Sequence, residues 1–201
     1  MRVFNKGSIF KYIGIILFYA IFQVLLSTGV LDDYIELNII LICINIILAL
    51  GLNLITGFTG QFSLGHAAFM SIGAYTSAIV TAKLGLPFFV GIMLSGITAA
   101  LAGIVIGIPT LRLKGDYLAI ATLGFGEIVK ILALNIDYIG GAIGFNDIPQ
   151  YTNWTWTYGM TVLAVVLIKN FLNSYKGRAC IAIREDEIAA QAMGISLFKH
   201  K

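Results

Sequence analysis

Two charged residues, Glu127 and Lys130, interrupt the otherwise apolar stretch LGFGEIVKIL. Residues three apart share one face of a helix, so the sequence predicts that these side chains form an ion pair. If the stretch crosses a membrane, the pair must face the inside of a helix bundle or a cavity, because a charge facing lipid is costly. We favour a structural ion pair, with a role in transport as the alternative.

The other polar side chains of interest lie in the glycine-rich stretch GLNLITGFTGQFSLGHAAFMSIGAYTSA. Glycine weakens a helix by roughly 1 kcal/mol per position relative to alanine, so the stretch predicts an interrupted helix. Irregular backbone at membrane depth persists only where protein or a water-filled cavity surrounds it. Two interpretations stay open: the break lines a polar path for a substrate, or it serves packing alone. The residues assigned to this break or path are Gly57, Gly60, Gln61, Ser63, Gly65 and His66.

His66 is the ionisable residue of the break. Intramembrane ionisable groups often have a function, and a proton relay is one hypothesis. We favour the alternative, in which the imidazole is hydrogen-bonded within the packed break.

Motifs for enzymatic chemistry are missing from the sequence. There is no G-x-x-x-x-G-K-[ST] phosphate loop, no H-E-x-x-H zinc motif and no nucleophile elbow. Cys43 and Cys180 lie in unrelated contexts and indicate neither a disulfide framework nor a metal site. We therefore expect no catalytic residue and no metal ligand in this chain.

The composition is that of a membrane protein. Hydrophobic residues make up 59% of the chain and charged residues 11%, and the mean hydropathy is +0.93. Soluble domains carry about 25% charged residues, and a chain of 201 residues could not bury so much apolar surface within itself. The predicted fold class is an all-α polytopic membrane protein, with about six transmembrane helices, one of them interrupted.

Six apolar runs have about the 20 residues that a membrane helix needs. They are Phe10–Leu31, Tyr34–Thr56, Ser63–Ala82, Leu86–Pro109, Tyr117–Ile136 and Trp154–Leu172. With a cytoplasmic N-terminus, most basic residues fall on the cytoplasmic side, as the positive-inside rule requires. These are Arg2, Lys6, Lys11, Arg112, Lys114, Lys169, Lys176, Arg178, Arg184, Lys199 and Lys201, whereas Asp32, Asp33, Glu36, Asp137 and Asp147 fall outside. Trp154 and Trp156 then lie at the outer end of the sixth span, where an aromatic belt is expected.

Small residues recur four apart in the third and fourth spans. They are Ala67 and Ser71, then Gly73, Ser77 and Thr81, and Ala99, Gly103 and Gly107. This spacing lets a second helix approach closely, so we expect a tightly packed bundle.

The last charged segment, KGRACIAIREDEIAAQAMGIS, predicts a short cytoplasmic helix of about eight residues. Glu185, Asp186 and Glu187 would crowd its start, where negative charge complements the helix dipole, and Gly194 would end it as a C-cap glycine. A seven-residue repeat of Ile181, Ile188 and Ile195, with Ala192, predicts one apolar stripe. The helix could fit a groove on a partner protein or rest on the membrane surface.

Three stretches together resemble the M-type permease subunit of branched-chain amino acid ABC importers. They are GLNLITGFTGQFSLGHAAFMSIGAY, LRLKGDYLAIATLGFGEIVKIL and GRACIAIREDEIAAQAMGIS. The third resembles the cytoplasmic loop by which ABC import permeases dock onto their ATPases, with the usual pattern E-A-A-x-x-x-G. Ala189, Ala190 and Gly194 fit this pattern, whereas Ile188 stands at the acidic position and Glu187 one place earlier. The residues assigned to docking are Arg184, Glu185, Asp186, Glu187, Ala189, Ala190 and Gly194, with Glu187, Ala190 and Gly194 as the contact core.

The resemblance implies a non-catalytic permease subunit that imports leucine, isoleucine and valine by alternating access. It implies ATPase subunits that bind ATP-Mg, a second homologous permease and an extracytoplasmic binding protein as partners, and no cofactor on this chain. It also implies a multi-pass protein of the bacterial inner membrane with both ends cytoplasmic. Residues 1–172 would form the permease core and residues 173–201 the docking loop. We also expect contact with the lipid bilayer and no nucleic-acid partner.

Other functions remain open at the level of sequence. Relatives in the same superfamily import urea, amides or sugars, and no residue here excludes them. An ion-coupled secondary carrier could use the broken helix, His66 and the Glu127–Lys130 pair, and a channel or scaffold would need no docking helix. Members of this family continue past the docking loop with further membrane helices, so we expect the sequence to be a fragment or a truncated product.

Overall fold

A computed structural model describes residues 6–29, 31–110, 113, 115–146 and 148–197, with side-chain exposure described from residue 13 onward. Among these residues the regular structure is helical, without a strand. The helices are α1 (Lys6–Ser27), α2 (Asp33–Asn53), α3 (His66–Ala78), α4 (Phe88–Thr110), α5 (Asp116–Asn135), α6 (Trp154–Asn173), α7 (Tyr175–Glu185) and α8 (Glu187–Ala192). Single π-helical turns extend α2 over Leu54–Phe58 and α3 over Ile79–Lys83, and short 3₁₀ turns cover Asp137–Ile139 and Gly141–Ile143.

Four helical segments in the described residues are long and apolar enough to cross a membrane. They are Asp33–Phe58, Phe88–Thr110, Asp116–Asn135 and Trp154–Asn173, and a shorter apolar segment covers Ile13–Ser27. The predicted all-α membrane class is confirmed. The number of six spans stays a prediction, since α3 has 13 residues before its π-helical turn.

Several residues used in the topology prediction lie outside the described part of the chain. They are Arg2, Arg112, Lys114, Asp147, Lys199 and Lys201. The side chains of Lys6 and Lys11 are likewise not described. The predicted orientation of the ends therefore stays a prediction, as does the division at residue 172.

The chain divides into two compact units. The first contains Met1–Leu50 and Thr152–Ile168 and is centred on Trp154, which is 3% exposed. The indole lies 5.0 Å from the ring of Tyr158 and 5.4 Å from that of Phe22, measured between ring centroids. Trp154 is thus buried in an aromatic cluster, whereas Trp156 is 41% exposed, and the aromatic belt stays a prediction.

The second unit contains Gly51–Tyr151 and Lys169–Lys201, and α3 packs closely on α4 within it. A Cβ placed on Gly91 of α4 would lie 3.0 Å from Thr81 Cγ2 and 3.4 Å from Ser77 Oγ. One on Gly73 would lie 3.7 Å from the Ser95 carbonyl oxygen. The small residues therefore let the two backbones approach, which confirms the prediction for Gly73, Ser77 and Thr81.

The remaining small residues of the prediction have other surroundings. Gly103 faces Phe69, whose Cε1 lies 3.9 Å from a Cβ built on the glycine, and Gly107 has no described atom within 4 Å. Ala99, Gly103 and Gly107 line one cavity of the second unit, and Ala67 and Ser71 line another. These positions therefore border cavities, and Gly103 also contacts α3 through Phe69.

We predict that Gly91→Leu destabilises the protein, because the added side chain has no room beside Thr81. Overpacking of this kind costs about 1–3 kcal/mol. The measurement is the temperature at which the detergent-purified protein loses its monodisperse gel-filtration peak. Gly96→Leu is the matched control on α4, since Gly96 has no described atom within 4 Å of its Cβ position. Equal losses for both variants would contradict the role of Gly91 in packing.

Candidate functional site

The glycine-rich stretch forms a non-helical connection, Thr59–Gly65, between the π-helical end of α2 and the start of α3. Its first turn is held by backbone bonds from Thr59 N to Leu54 O and from Gln61 N to Ile55 O, each 3.1 Å. Gly60 has φ +69°, a left-handed conformation that favours glycine. The predicted interruption is therefore present, and we call Gly57–His66 the break.

The far end of the break is fixed to α5. Leu64 N donates a hydrogen bond of 3.0 Å to Thr122 Oγ1. A Cβ on Gly65 would lie 2.5 Å from the Thr122 carbonyl oxygen. Gly65 is needed because the two backbones nearly touch, and Thr122 itself is buried.

A cavity of about 580 Å³ lies beside the break in the second unit. Its walls come from the π-helical turn of α2, the break, α3, α4 and α5. They include Ile55, Gln61, Ser63, His66, Phe69, Ala99, Ala100, Gly103, Ile104, Ile106, Gly107, Ile108, Thr110, Leu118 and Thr122. Most of these side chains are aliphatic or small. The cavity is therefore suited to an apolar group with a few polar contacts.

Two buried polar atoms at this cavity lack a hydrogen-bond partner in the described structure, Gln61 Nε2 and His66 Nδ1. The expectation that His66 is hydrogen-bonded within the break is wrong for this nitrogen. The imidazole packs on Gly51, whose Cβ position lies 3.1 Å from His66 Cε1, and its neighbours at the cavity are mostly apolar. An unsatisfied buried donor or acceptor costs about 1–3 kcal/mol, and both residues line the cavity.

The Glu127–Lys130 pair forms as predicted, with 3.3 Å between Lys130 Nζ and Glu127 Oε2. Both residues line a separate cavity of about 370 Å³, together with Ala67, Ser71 and Tyr75. The side chains are 57% exposed for Glu127 and 65% for Lys130 within this chain. The ion pair is confirmed, while its role in structure or transport stays a prediction.

The charged segment near the end forms two helices instead of one. Asp186, in extended conformation, separates α7 from α8 and caps α8, accepting hydrogen bonds from Ile188 N (2.8 Å) and Ala189 N (3.0 Å). Glu185 is the last residue of α7, so its predicted place at the start of the docking helix is wrong. A new helix starts at Asp186 because its carboxylate satisfies the first free backbone amides of α8.

The end of α8 follows the prediction for Gly194. This glycine has φ +84°. Gly194 N donates to Gln191 O at 2.9 Å and Ile195 N donates to Ala190 O at 3.0 Å, the two bonds of a Schellman motif. The predicted C-cap glycine is confirmed.

The predicted apolar stripe is not a feature of one helix. Ile181 lies on α7, whereas Ile188 lies on α8 and is 80% exposed. Ala190, assigned to the contact core, is 5% exposed and packs inside the chain, so it supports α8 and presents little surface to another subunit. The exposed apolar side chains here are Ile188 and Met193, the latter 83% exposed.

One face of α7 is buried within the chain. Ile183 is 2% exposed and Cys180 5%, and burial raises the pKa of the Cys180 thiol. The thiolate fraction at neutral pH is thereby reduced, so Cys180 is a structural residue and not a reactive one. Ser174 caps the helix by accepting from Gly177 N at 3.2 Å.

Arg184 links α7 to the break, a contact that sequence analysis missed. Its Nη1 donates a hydrogen bond of 2.7 Å to the Gly57 carbonyl oxygen. A Cβ on Gly60 would lie 2.7 Å from Arg184 Cγ and 3.4 Å from its Cα. The guanidinium also pairs with Glu185 Oε1, at 3.1 Å from Nε. The partners are 127 positions apart, and no local pattern signals such a contact.

Comparison with known proteins identifies the family. Residues 34–201 match the family model described as the permease component of the branched-chain amino acid transport system. The chain is 39% identical over 188 residues to the high-affinity branched-chain amino acid transport system permease protein LivM of Escherichia coli (strain K12). It is 40% identical over 188 residues to the protein of the same name from Salmonella typhimurium. Each alignment covers 76% of this chain and 44% of the relative.

A more distant relative is the probable branched-chain amino acid transport permease protein LivM of Methanocaldococcus jannaschii. It is 30% identical over 123 residues, which cover 54% of this chain and 36% of the relative. The chain thus spans less than half the length of the curated relatives it matches. No solved structure matches it significantly.

We predict that Thr122→Val loosens the break, because Leu64 N loses its acceptor while the shape of the side chain is kept. A hydrogen bond contributes about 1 kcal/mol, so amide exchange in the peptide covering residues 59–65 should speed up by roughly fivefold. Hydrogen-exchange mass spectrometry measures this directly. Thr122→Ser keeps the hydroxyl and should exchange like the unchanged protein. Unaltered exchange in Thr122→Val would show that the break does not depend on this bond.

Proposed function

This chain belongs to the family of branched-chain amino acid transport system permease components, and we propose that it forms part of the transmembrane subunit of an ATP-driven importer of leucine, isoleucine and valine. The family match covers residues 34–201, and the apolar helices supply the membrane-spanning part. The chain itself is a non-catalytic transport component. ATP-Mg binds to a separate ATPase subunit in this proposal.

One structural observation supports the proposed coupling to an ATPase: α8 is a short helix that is capped at both ends. Asp186 caps its start and Gly194 ends it. Between these caps, Ile188 and Met193 are 80% and 83% exposed. A helix held so firmly transmits displacement without fraying, and its exposed apolar side chains suit a groove on a partner protein. We assign this surface to the ATPase contact, with Glu187 and Ala189 beside it.

The cavity beside the break supports the substrate assignment. Its walls are aliphatic and small, which suits a branched hydrocarbon side chain. Gln61, Ser63 and His66 are polar side chains on the same wall, and we assign them to the amino and carboxyl groups of the amino acid. Such a site beside irregular backbone is typical of transporters.

Membership of the family supports the remaining partners of this proposal. The importer contains two ATPase subunits, a second homologous permease and an extracytoplasmic binding protein. It lies in the bacterial inner membrane, with the docking helix α8 on the cytoplasmic side. Alternating access then moves the substrate between the two faces of the membrane.

Uptake into proteoliposomes tests this function. The full-length permease, its permease partner and the ATPase are reconstituted together, and the binding protein with radiolabelled leucine is added outside. We expect uptake that needs ATP inside the vesicles and that unlabelled isoleucine and valine compete away. Uptake driven by an ion gradient without ATP would contradict the proposal, as would competition by urea but not by valine.

We predict that Gly194→Val separates the ATPase from the permease. A β-branched residue at φ +84° is strained by about 1–3 kcal/mol, so the end of α8 unwinds. The yield of ATPase that co-purifies with the permease should fall, and uptake should fall with it. Gly194→Asn is the matched control, because asparagine tolerates the left-handed conformation. Normal uptake and co-purification in Gly194→Val would show that α8 does not dock.

A further inference from the structure

We propose that Arg184 is a positioning residue that couples the docking helix to the substrate cavity, and not a contact to the ATPase. The proposal rests on the function proposed above. Arg184 stands two residues before Asp186, the cap of α8, and its side chain reaches the break at Gly57. It therefore stands between the part of the chain that meets the ATPase and the part that lines the cavity.

The first bond of this link is charge-assisted. Arg184 Nη1 lies 2.7 Å from the Gly57 carbonyl oxygen, in the π-helical turn that ends α2. Carbonyl groups in the last turn of a helix lack an intrahelical partner, so the guanidinium satisfies an otherwise open acceptor. Bonds with an ionised donor are shorter and stronger than neutral ones. The end of α2 and the end of α7 are thus held in one geometry.

The second contact prevents the two segments from sliding. The Arg184 side chain lies directly against Gly60, where a Cβ would come within 2.7 Å of Cγ and 3.2 Å of Cβ. Only glycine fits this approach, and the φ of +69° at Gly60 favours glycine independently. The hydrogen bond fixes the distance, and the close packing fixes the lateral position.

The opposite edge of the Arg184 guanidinium forms an ion pair with Glu185. Glu185 Oε1 accepts from Nε at 3.1 Å and also pairs with Nη2. With Gly57 at Nη1 and Glu185 at Nε and Nη2, the planar fork is oriented on both sides. The guanidinium is therefore bound by groups of its own chain. Ile188 and Met193 are the exposed apolar side chains on α8 and at its end.

The break connects the Arg184 contacts to the cavity. Gln61 and Ser63 line the cavity and lie between the Arg184 contact at Gly57–Gly60 and the Thr122 contact at Leu64. Because the segment is fixed at both ends, a displacement of α7 and α8 must move these two side chains or strain one of the anchors. ATP-driven movement of the docking helix would in this way reshape the substrate cavity.

The test uses the complete importer in proteoliposomes, with Arg184→Lys as the variant. Lysine keeps the charge but lacks the planar fork that serves both partners. We expect the ATPase to co-purify normally and ATP to be hydrolysed, while leucine uptake per ATP falls about tenfold. Arg178→Lys is the matched control: the same change on an exposed residue of the same helix. It should leave uptake per ATP unchanged.

A second readout separates coupling from general stability. Gln61→Cys places a thiol at the cavity, and its rate of labelling by a water-soluble maleimide is compared with and without ATP. We expect ATP to change this rate when Arg184 is present and to leave it unchanged in Arg184→Lys. Gly60→Ala, which pushes the break away from an intact Arg184, should abolish the ATP response in the same way.

The outcomes distinguish the two proposals. Absence of ATP-driven uptake in the unchanged importer would overturn the proposed function. Normal uptake per ATP in Arg184→Lys, with an intact labelling response, would overturn the coupling role alone. Loss of the co-purified ATPase in Arg184→Lys would also overturn it, because Arg184 would then belong to the subunit interface.

Discussion

The structure depends on one constraint: irregular backbone placed among membrane helices must be held by other parts of the chain. The break is such a segment, since seven of its residues, 59–65, are not helical and lie between the π-helical end of α2 and the start of α3. It is held at one end by Arg184 and at the other by Thr122. Gly60 and Gly65 make both contacts possible by admitting another part of the chain at distances that exclude a side chain.

The same use of small residues shapes the rest of the second unit. Where glycine, serine and threonine face each other, as around Gly91 and Ser77, α3 and α4 lie close together. Where a small residue has no described atom within 4 Å of its Cβ position, as at Gly107, a cavity remains. Apolar surface gives little drive for helix association in lipid, so this pattern of contact and space decides the fold. It also leaves Gln61 and His66 beside a cavity with buried nitrogens that have no hydrogen-bond partner among the described residues.

Features set by local sequence were predictable, and features set by long-range packing were not. The glycine cap at Gly194 and the Glu127–Lys130 pair depend on neighbours within four residues, and both are present. The split of the charged segment at Asp186 was missed, because an acidic run predicts a helix start without saying which residue is the cap. The Arg184 link joins positions 127 apart, so only the folded chain reveals it.

Double electron–electron resonance would test the central claim most directly, that the docking helix and the end of the break held by Arg184 move together. Spin labels at Ala189 and Phe62, both exposed, would report their separation in the assembled importer with Cys43 and Cys180 replaced. The account predicts the same mean distance without nucleotide and with ATP bound, since Arg184 joins the two segments. A shift of several ångströms between these states would show that the segments move independently and would contradict it.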